Sequence, residues 1–439
     1  HESCVNKEEK HLRYTKDLLP NEFVHPDSVS LPIYYPDNPT TRELWARYYS
    51  NISSLDHYVE DILNQLQEDN LLDNTIIFFY SDHGAGVPVY KRWLYDTGLK
   101  VPLIVHVPEK YKHLAPKAML EGRTDELVSF IDLAPTVLNL ADIDIPSHMQ
   151  GRAFLGKNLK PEREFVFASR DRMDERYDMQ RAVRTKDIKY IRYYEPSKPY
   201  MQYMNTPEQG EIMIAIREAY ESGNLPSEGV KLMSEFKPTE ELFDLRIDPF
   251  EQNNLIEHPD YSNTLKQMRQ ALSEWSIKVN DAGLIPEPIL RSWEKKYDKP
   301  IYSVLREEGV KIEDIQKAAI SSDKDFLVSM LNHNNEAIRY WASTIIGNHS
   351  EWSNLGIAES LRLGLNDSNP LVRISMARAL ISFGDTNPSL TVIATELENA
   401  DEWVRLNAAL VLDEAGDTAV PVSSALESVM DDENKYVVR

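Results

Sequence analysis

The sequence predicts an α/β layer, then a smaller α+β unit, then an all-α array of helical repeats. Three observations carry that prediction. A helix-patterned stretch precedes two short apolar runs, residues 75–80 (TIIFFY) and 102–107 (PLIVHV), of the kind that form strands buried on both faces. Between residues 164 and 245, strand-like runs lie among helical stretches. From about residue 310 an acidic or Asn turn followed by an apolar residue and an arginine recurs. Its arginines are Arg339, Arg373, Arg405 and Arg439, a period of about 33 residues.

Taken in order, residues 1–40 are rich in Pro, Asp and Asn and read as loop. Residues 42–67 form an amphipathic helix, with Ile52, Leu55, Val59, Ile62, Leu63 and Leu66 on one stripe at three- and four-residue steps. Asp73 and Asn74 turn the chain into the first apolar run. Helix, strand, loop and strand in that order predict a largely parallel sheet. Residues 124–140 carry a helical pattern interrupted at Pro135, and residues 165–168, 189–194 and 241–245 read as strands. Pro286, Pro288 and Pro300 mark the linker. In the repeats, Arg373 leads into Ala377, Ala379 and Leu380, and Arg405 into Ala408, Ala409 and Leu410. Paired helices of this pattern resemble HEAT repeats. The last unit stops at Arg439, where its second helix should begin, so the array is expected to be cut short. Boundaries fall at residues 1–155 for the α/β layer, 156–300 for the α+β unit and 310–439 for the repeats.

Composition narrows the function. The 439 residues carry a formal net charge of −23, which argues against broad phosphate contacts with nucleic acid. Any anion site must therefore be built from local cations. The single cysteine, Cys4, rules out an internal disulfide framework and a multi-cysteine metal site. No apolar run approaches the length of a membrane-spanning helix.

The chemically informative stretch runs from Ser81 to Pro102. Asp82 and His83 end the first apolar run, at the carboxyl edge where open α/β sheets bind ligands. A carboxylate beside an imidazole there suits a shared metal ion, and Gly84 lets the backbone turn away. The plainer alternative is an Asp capping the loop beside a structural His. Farther on, Arg170, Arg172, Arg176, Arg181 and Arg184 interleave with Asp171, Asp174 and Glu175 as the densest cationic cluster. Such a cluster either grips an anion through bidentate contacts or forms a surface salt-bridge network. Tyr193, Tyr194, Tyr200 and Tyr203 line a ligand subsite or pack as core.

Ser81, Asp82, His83 and Gly84, followed without gaps by Lys91 to Val105 (KRWLYDTGLKVPLIV), resemble the second signature region of type I sulfatases of the alkaline-phosphatase-like superfamily. Further matches are residues 130–136 (FIDLAPT), Gln150 with Gly151, residues 241–245 (ELFDL), Asp248 with Pro249, and Asn254 with Leu255, so the resemblance covers roughly residues 1–290. Residues 48–56 and 168–176 (ASRDRMDER) look like the branch of heparan N-sulfatase and bacterial polysaccharide sulfatases. The resemblance implies an α/β sulfatase core in which Asp82 and His83 bind calcium and Lys91 binds the sulfate. It makes His1, in His1-Glu2-Ser3, a second catalytic residue at the sulfate, and it leaves Lys100 outside the site. It also implies removal of sulfate from a sulfated polysaccharide or oligosaccharide, with Arg170, Arg172 and Asp174 placed as substrate-binding residues. A divalent cation and an ammonium would stabilise the charge that grows on the sulfate as the S–O bond breaks.

The sequence departs from that family at the nucleophile. Type I sulfatases use a formylglycine made from Cys or Ser in Cys/Ser-x-Pro-x-Arg, and neither Cys4 nor any serine here stands in that motif. The paired aspartates that complete the calcium site are missing as well. The sequence is therefore expected to be the C-terminal portion of the enzyme, inactive alone, with its formylglycine in a missing segment. Two alternatives stay open: a phosphoester or phosphonate hydrolase of the same superfamily, and a non-catalytic HEAT-repeat binding scaffold. The expected partner is a sulfated glycan, with no nucleic acid and no membrane span, and the expected location is secreted or periplasmic. The repeat array is expected to dock on the rest of the chain or pair with a second copy, as an accessory module with no part in chemistry.

Overall fold

Strand pairing is antiparallel throughout the residues that the computed structural model describes, which are residue 5 and residues 7–438. Strands β1 (Ile77–Tyr80) and β2 (Leu103–His106) form a two-stranded sheet with Ile77 opposite His106 and Tyr80 opposite Leu103. This corrects the expected parallel arrangement. A parallel pair needs a crossover over the sheet face, and the connection here holds only the four-residue helix Asp96–Leu99. Nor are these strands buried on both faces: Tyr80 is 45% exposed and Ile104 62%.

Helix α1 (Pro39–Glu68) forms where its pattern predicts. Asn38 caps it by accepting from the Thr41 amide while Thr41 Oγ1 accepts from the Asn38 amide, and Pro39 opens the first turn. Its buried residues run from Thr41 to Ser54, Leu44, Trp45 and Ala46 among them, with Trp45 stacked on Tyr48. The predicted stripe is a correction: Ile52, Leu55, Ile62 and Leu63 are exposed. Residues 124–140 also depart from expectation. A 3₁₀ turn at Phe130–Asp132 leads into a helix that spans only Leu133–Leu140.

The second sheet is an antiparallel meander in the order β3 (Val166–Met173), β4 (Arg176–Arg184), β5 (Ile188–Tyr193), β6 (Glu240–Asp244). The sequence reading missed β4, because a strand with four charged side chains looks like surface. It is nevertheless a central strand, buried over all but its last residue. Its charges are matched: Arg181, fully buried, donates to both oxygens of Asp281 at 2.7 and 2.9 Å and to Asp171 at 2.8 Å. On one side Val183, Tyr190 and Leu242 pack against Leu265, Met268 and Leu272 of α3 (Ser262–Val279). On the other, Ala182, Ile191 and Phe243 join a core with Leu44 of α1 and with Ile212 and Ile216 of α2 (Glu211–Glu221).

The proline-rich segment is not a linker. Pro286 and Pro288 sit at the start of α4 (Glu287–Tyr297), where a missing amide hydrogen costs nothing. Leu284, Ile285, Ile289 and Trp293 are buried in one core with the helices that follow.

Those helices are α5 (Ile312–Ile320), α6 (Lys324–Met330), α7 (Glu336–Gly347), α8 (Leu355–Gly364), α9 (Pro370–Ser382), α10 (Thr386–Glu396) and α11 (Glu402–Ala415). The recurring sequence unit has a recurring geometry. Asn335, Asn369 and Asp401 cap α7, α9 and α11 through their side chains. In the same three helices Arg339, Arg373 and Arg405 reach a carboxylate at or just before the next turn, Asp367, Glu396 and Asp432 respectively. Each also donates to the carbonyl six residues earlier, of His333, Asp367 and Asn399. Arg439 lies outside the described residues. Small residues allow close stacking: a Cβ on Gly347 would fall 2.9 Å from the Ala379 Cα. The array is joined to the second sheet. Trp341, fully buried, donates its indole N–H to the Leu284 carbonyl at 2.6 Å and packs on Tyr194, and Arg176 of β4 pairs with Asp413 of α11 at 2.6 Å.

Candidate functional site

The loop between β1 and β2 is held by its own backbone. The Ser81 amide donates to the Pro102 carbonyl at 3.4 Å, extending the strand pair, and Gly84 N–H donates to Gly98 O at 3.1 Å. The Lys91 amide donates to Ala85 O at 3.0 Å, which brings Lys91 back toward the Asp82–His83 turn. A Cβ on Gly84 would fall 1.9 Å from Thr97 O, so glycine is required there by close approach.

Asp82 projects into solvent, its side chain 84% exposed, with Oδ2 at 3.6 Å from His83 Nε2. His83 Nδ1 lies 2.6 Å from the Gly84 carbonyl. A carbonyl only accepts, so Nδ1 carries the proton, and the lone pair of a neutral ring is on Nε2 beside Asp82. That is the tautomer a metal-binding imidazole takes when a backbone carbonyl orients it. Among the described residues no third His, Cys, Asp or Glu joins the pair. Calcium takes about six to eight ligands, mostly oxygen. Asp82 and His83 therefore fit as part of a calcium site and do not make one by themselves.

Lys91 is half-buried, and its ammonium has no hydrogen-bond or ion-pair partner among the described residues. Arg92, at φ +79°, turns the other way and donates to Asp174 Oδ2 at 2.9 Å. Together they line a small cleft of about 50 Å³, whose wall includes Arg170, Trp93, Tyr200 and Met201. The structure thus brings Lys91 and Arg170 to one cleft and ties Asp174, at the β3–β4 turn, to it through Arg92.

Most of the arginine cluster is structural. Arg176 is held by Asp413 and the Tyr203 carbonyl, Arg181 by Asp281 and Asp171, and Arg184 by both oxygens of Asp96. Arg172 faces the array: its Nε donates to Glu287 at 2.7 Å and its guanidinium lies 4.1 Å from the Trp403 ring centre. Asp174, expected with it among the substrate-binding residues, meets the same region, accepting from Tyr436 Oη at 3.5 Å. The tyrosines are chiefly core. Tyr193 and Tyr200 donate to the buried Glu241, and Tyr194 packs on Trp341, while Tyr203 is exposed. Near the cleft, burial lowers the pKa of Lys237 even though Asp178 lies 2.7 Å away. Sequence reasoning missed Arg92; its adjacency to Lys91 was the available signal, but its left-handed backbone was not visible. His1 and Cys4 lie outside the described residues.

Residues 16–143 match the family model described as sulfatase, and residues 88–221 match that described as N-sulphoglucosamine sulphohydrolase, C-terminal. An ulvan-active sulfatase of Formosa agariphila is 38% identical over 279 residues, 62% of this chain and 45% of that protein. The N-sulphoglucosamine sulphohydrolase of Homo sapiens is 25% identical over 64% of this chain and 57% of its own. An N-acetylglucosamine-6-O-sulfatase of Bacteroides thetaiotaomicron is 26% identical over 53% of this chain and 36% of its own. A solved 2-O GAG sulfatase superposes with a TM-score of 0.41 at 22% identity, covering 60% of this chain and 52% of that one. The chain spans about half the length of the curated relatives it matches. Its loop of Asp82, His83 and Lys91 lies inside the first matched stretch, and over residues 16–143 the chain is similar to sulfatases, with bacterial sulfatases and an N-sulphoglucosamine sulphohydrolase among its relatives.

Proposed function

We propose that the protein is a sulfuric ester hydrolase that removes sulfate from a sulfated polysaccharide or oligosaccharide, and that the loop from Asp82 to Lys91 faces the ester. The observation that carries this reading is the half-buried Lys91 ammonium, without a partner among the described residues and folded back toward Asp82 and His83 within the matched segment. In this reading Lys91 neutralises sulfate oxygens as charge develops on them. Asp82 and His83 give two donors to a calcium ion, which when bound supplies further positive charge at the ester. His1 is assigned to the sulfate by its three-residue likeness alone.

The nucleophile of this reading is a formylglycine, and no Cys/Ser-x-Pro-x-Arg occurs in the 439 residues. The 439-residue chain is therefore expected not to turn over sulfate esters, and the reaction is expected in a protein of the relatives' full span. Residues from about 310 are read as HEAT-type repeats that hold the second sheet through Trp341 and Arg176. A secreted or periplasmic location, where a sulfated polysaccharide is met, belongs to the same reading.

The test is sulfate release from a sulfated oligosaccharide by such a full-span protein, alongside an aryl phosphonate. Lys91→Ala should cut kcat on the order of a hundredfold, as loss of one donor aimed at developing charge does. Asp82→Ala should weaken calcium binding. Unchanged kcat and KM in Lys91→Ala would remove Lys91 from the sulfate pocket, and preferred turnover of the phosphonate would overturn the choice of ester.

A further inference from the structure

Arg170 is a buried cation whose surroundings do not satisfy it. Its side chain is 6% exposed, and among the described residues its guanidinium makes no hydrogen bond. Its Nε is enclosed without a partner. The carboxylate paired with it, Asp178, has Oδ2 at 3.8 Å from NH1, beyond hydrogen-bond reach. Asp178 is already engaged, accepting from Lys237 at 2.7 Å and from Gln180 at 2.5 Å. The same sheet can satisfy a buried guanidinium, as it does for Arg181. A guanidinium carries five donors, and burying it without hydrogen bonds is costly.

The side chain forms part of the wall of the cleft that Lys91 and Arg92 also line. Lys91, Arg92 and Arg170 stand on its wall; Arg92 pairs with Asp174, and behind the wall Lys237 pairs with Asp178. Glu208, also on the wall, is neutralised by Arg217 at 2.6 Å. Lys91 and Arg170 thus bring positive charge to one narrow space within a chain of net charge −23. Enclosed charge of one sign attracts the opposite sign far more strongly than exposed charge does.

We propose that this cleft is a subsite for a second anionic group on the substrate, a carboxylate or a second sulfate on the sugar, with Arg170 as its principal donor and Lys91 facing the scissile ester. The sugar's identity as ligand rests on the sulfatase reading; the unmet guanidinium does not.

The experiment titrates the 439-residue chain calorimetrically at low ionic strength with glucuronate, with glucose 6-sulfate and with glucose. Both anions should bind above glucose. Arg170→Gln should weaken them by about tenfold or more, the size of a lost charge-assisted hydrogen bond, and Arg170→Lys should recover part of it. Tighter binding of glucuronate assigns a carboxylate, and tighter binding of glucose 6-sulfate a second sulfate. Without anion, Arg170→Gln should melt no lower than wild type, because an uncompensated buried charge has been removed. A wild-type crystal soaked in selenate supplies a readout that needs no variant: an anomalous selenium peak within hydrogen-bond reach of Arg170. Equal anion affinity in wild type and Arg170→Gln, wild-type binding no stronger than glucose, or no selenate peak at Arg170 would each overturn the subsite. None of these measurements needs turnover, so a protein that fails to release sulfate can still pass them, and one that releases sulfate can still fail them.

Discussion

The helical array and the α/β layer treat their apolar residues in opposite ways. In the stacked helices α7, α9 and α11, Ile338, Trp341, Ile346, Val372, Leu380, Val404 and Leu412 are all buried. In the layer, Ile52, Leu55, Ile62, Ile104 and Ile131 are exposed despite an equally apolar pattern. The helices have neighbours on both sides, because each recurring unit presents a face to the next. Among the described residues, no element packs over these faces of the two-stranded sheet and the second half of α1. Periodicity therefore reports which face of an element is apolar, and only neighbouring elements decide whether that face is buried.

The strongest way to break this contrast is at Trp341. Trp341→Ala removes a fully buried side chain and its hydrogen bond to Leu284, and should cost about 3–5 kcal/mol in the array's thermal or urea unfolding. A loss below about 1 kcal/mol would mean that the array core rearranges freely around the gap. A smaller effect is expected in acid at the joint between the α/β layer and the second sheet. Asp96, in the β1–β2 loop, accepts from Lys189 at 2.6 Å and from Arg184 at 3.0 and 3.1 Å. Burial alone would raise its pKa, but Lys189 and Arg184 outweigh burial and hold it down at about 2. Its folded pKa lies below its unfolded value of about 3.9, so its contribution is complete above pH 4 and lost as pH falls toward 2. That contribution is on the order of 2 kcal/mol. Stability measured from pH 5 to pH 2 should fall by that much more in wild type than in Asp96→Asn. Parallel curves for the two proteins would show that the pair does not tie the loop to the second sheet. The smallest effect is expected at Ile104, where Ile104→Thr in this chain should change stability by no more than about 0.5 kcal/mol. A cost near that of Trp341→Ala would erase the contrast between the regions.

The expectation that the array stands apart from the site also meets the structure at particular atoms. Tyr436 reaches Asp174, Trp403 covers Arg172, and Asp174 holds Arg92 beside Lys91. A repeat pattern shows how a helix stacks on its own kind. It does not show which loop of another unit its edge will touch.

Legibility followed the range of the interactions. Helix α1 could be read from apolar spacing within a few residues, while its cap Asn38 and first-turn Pro39 fell in the stretch read as loop. The three repeat turns could be read for the same reason. Strand β4 could not, because Arg181 is satisfied by Asp281, a hundred residues away. The antiparallel pairing of β1 and β2 depended on the route of a loop whose glycines close it against its own backbone. Pro286 and Pro288 looked like a break and proved to be the start of a helix, since proline fits the first turn as readily as it ends a helix.

The sequence by itself determined the order of the three regions, the turn that presents Asp82, His83 and Lys91, and the spacing of the repeat. These depend on contacts within a few residues or on a pattern repeated along the chain. Tertiary structure alone decided which charges are matched within the fold and which are left unmatched. Arg176, Arg181 and Arg184 find carboxylates on distant elements, whereas Arg170 is buried beside a carboxylate already taken by Lys237. A row of arginines looks alike in one dimension, and the partners that distinguish them arrive only when the chain folds.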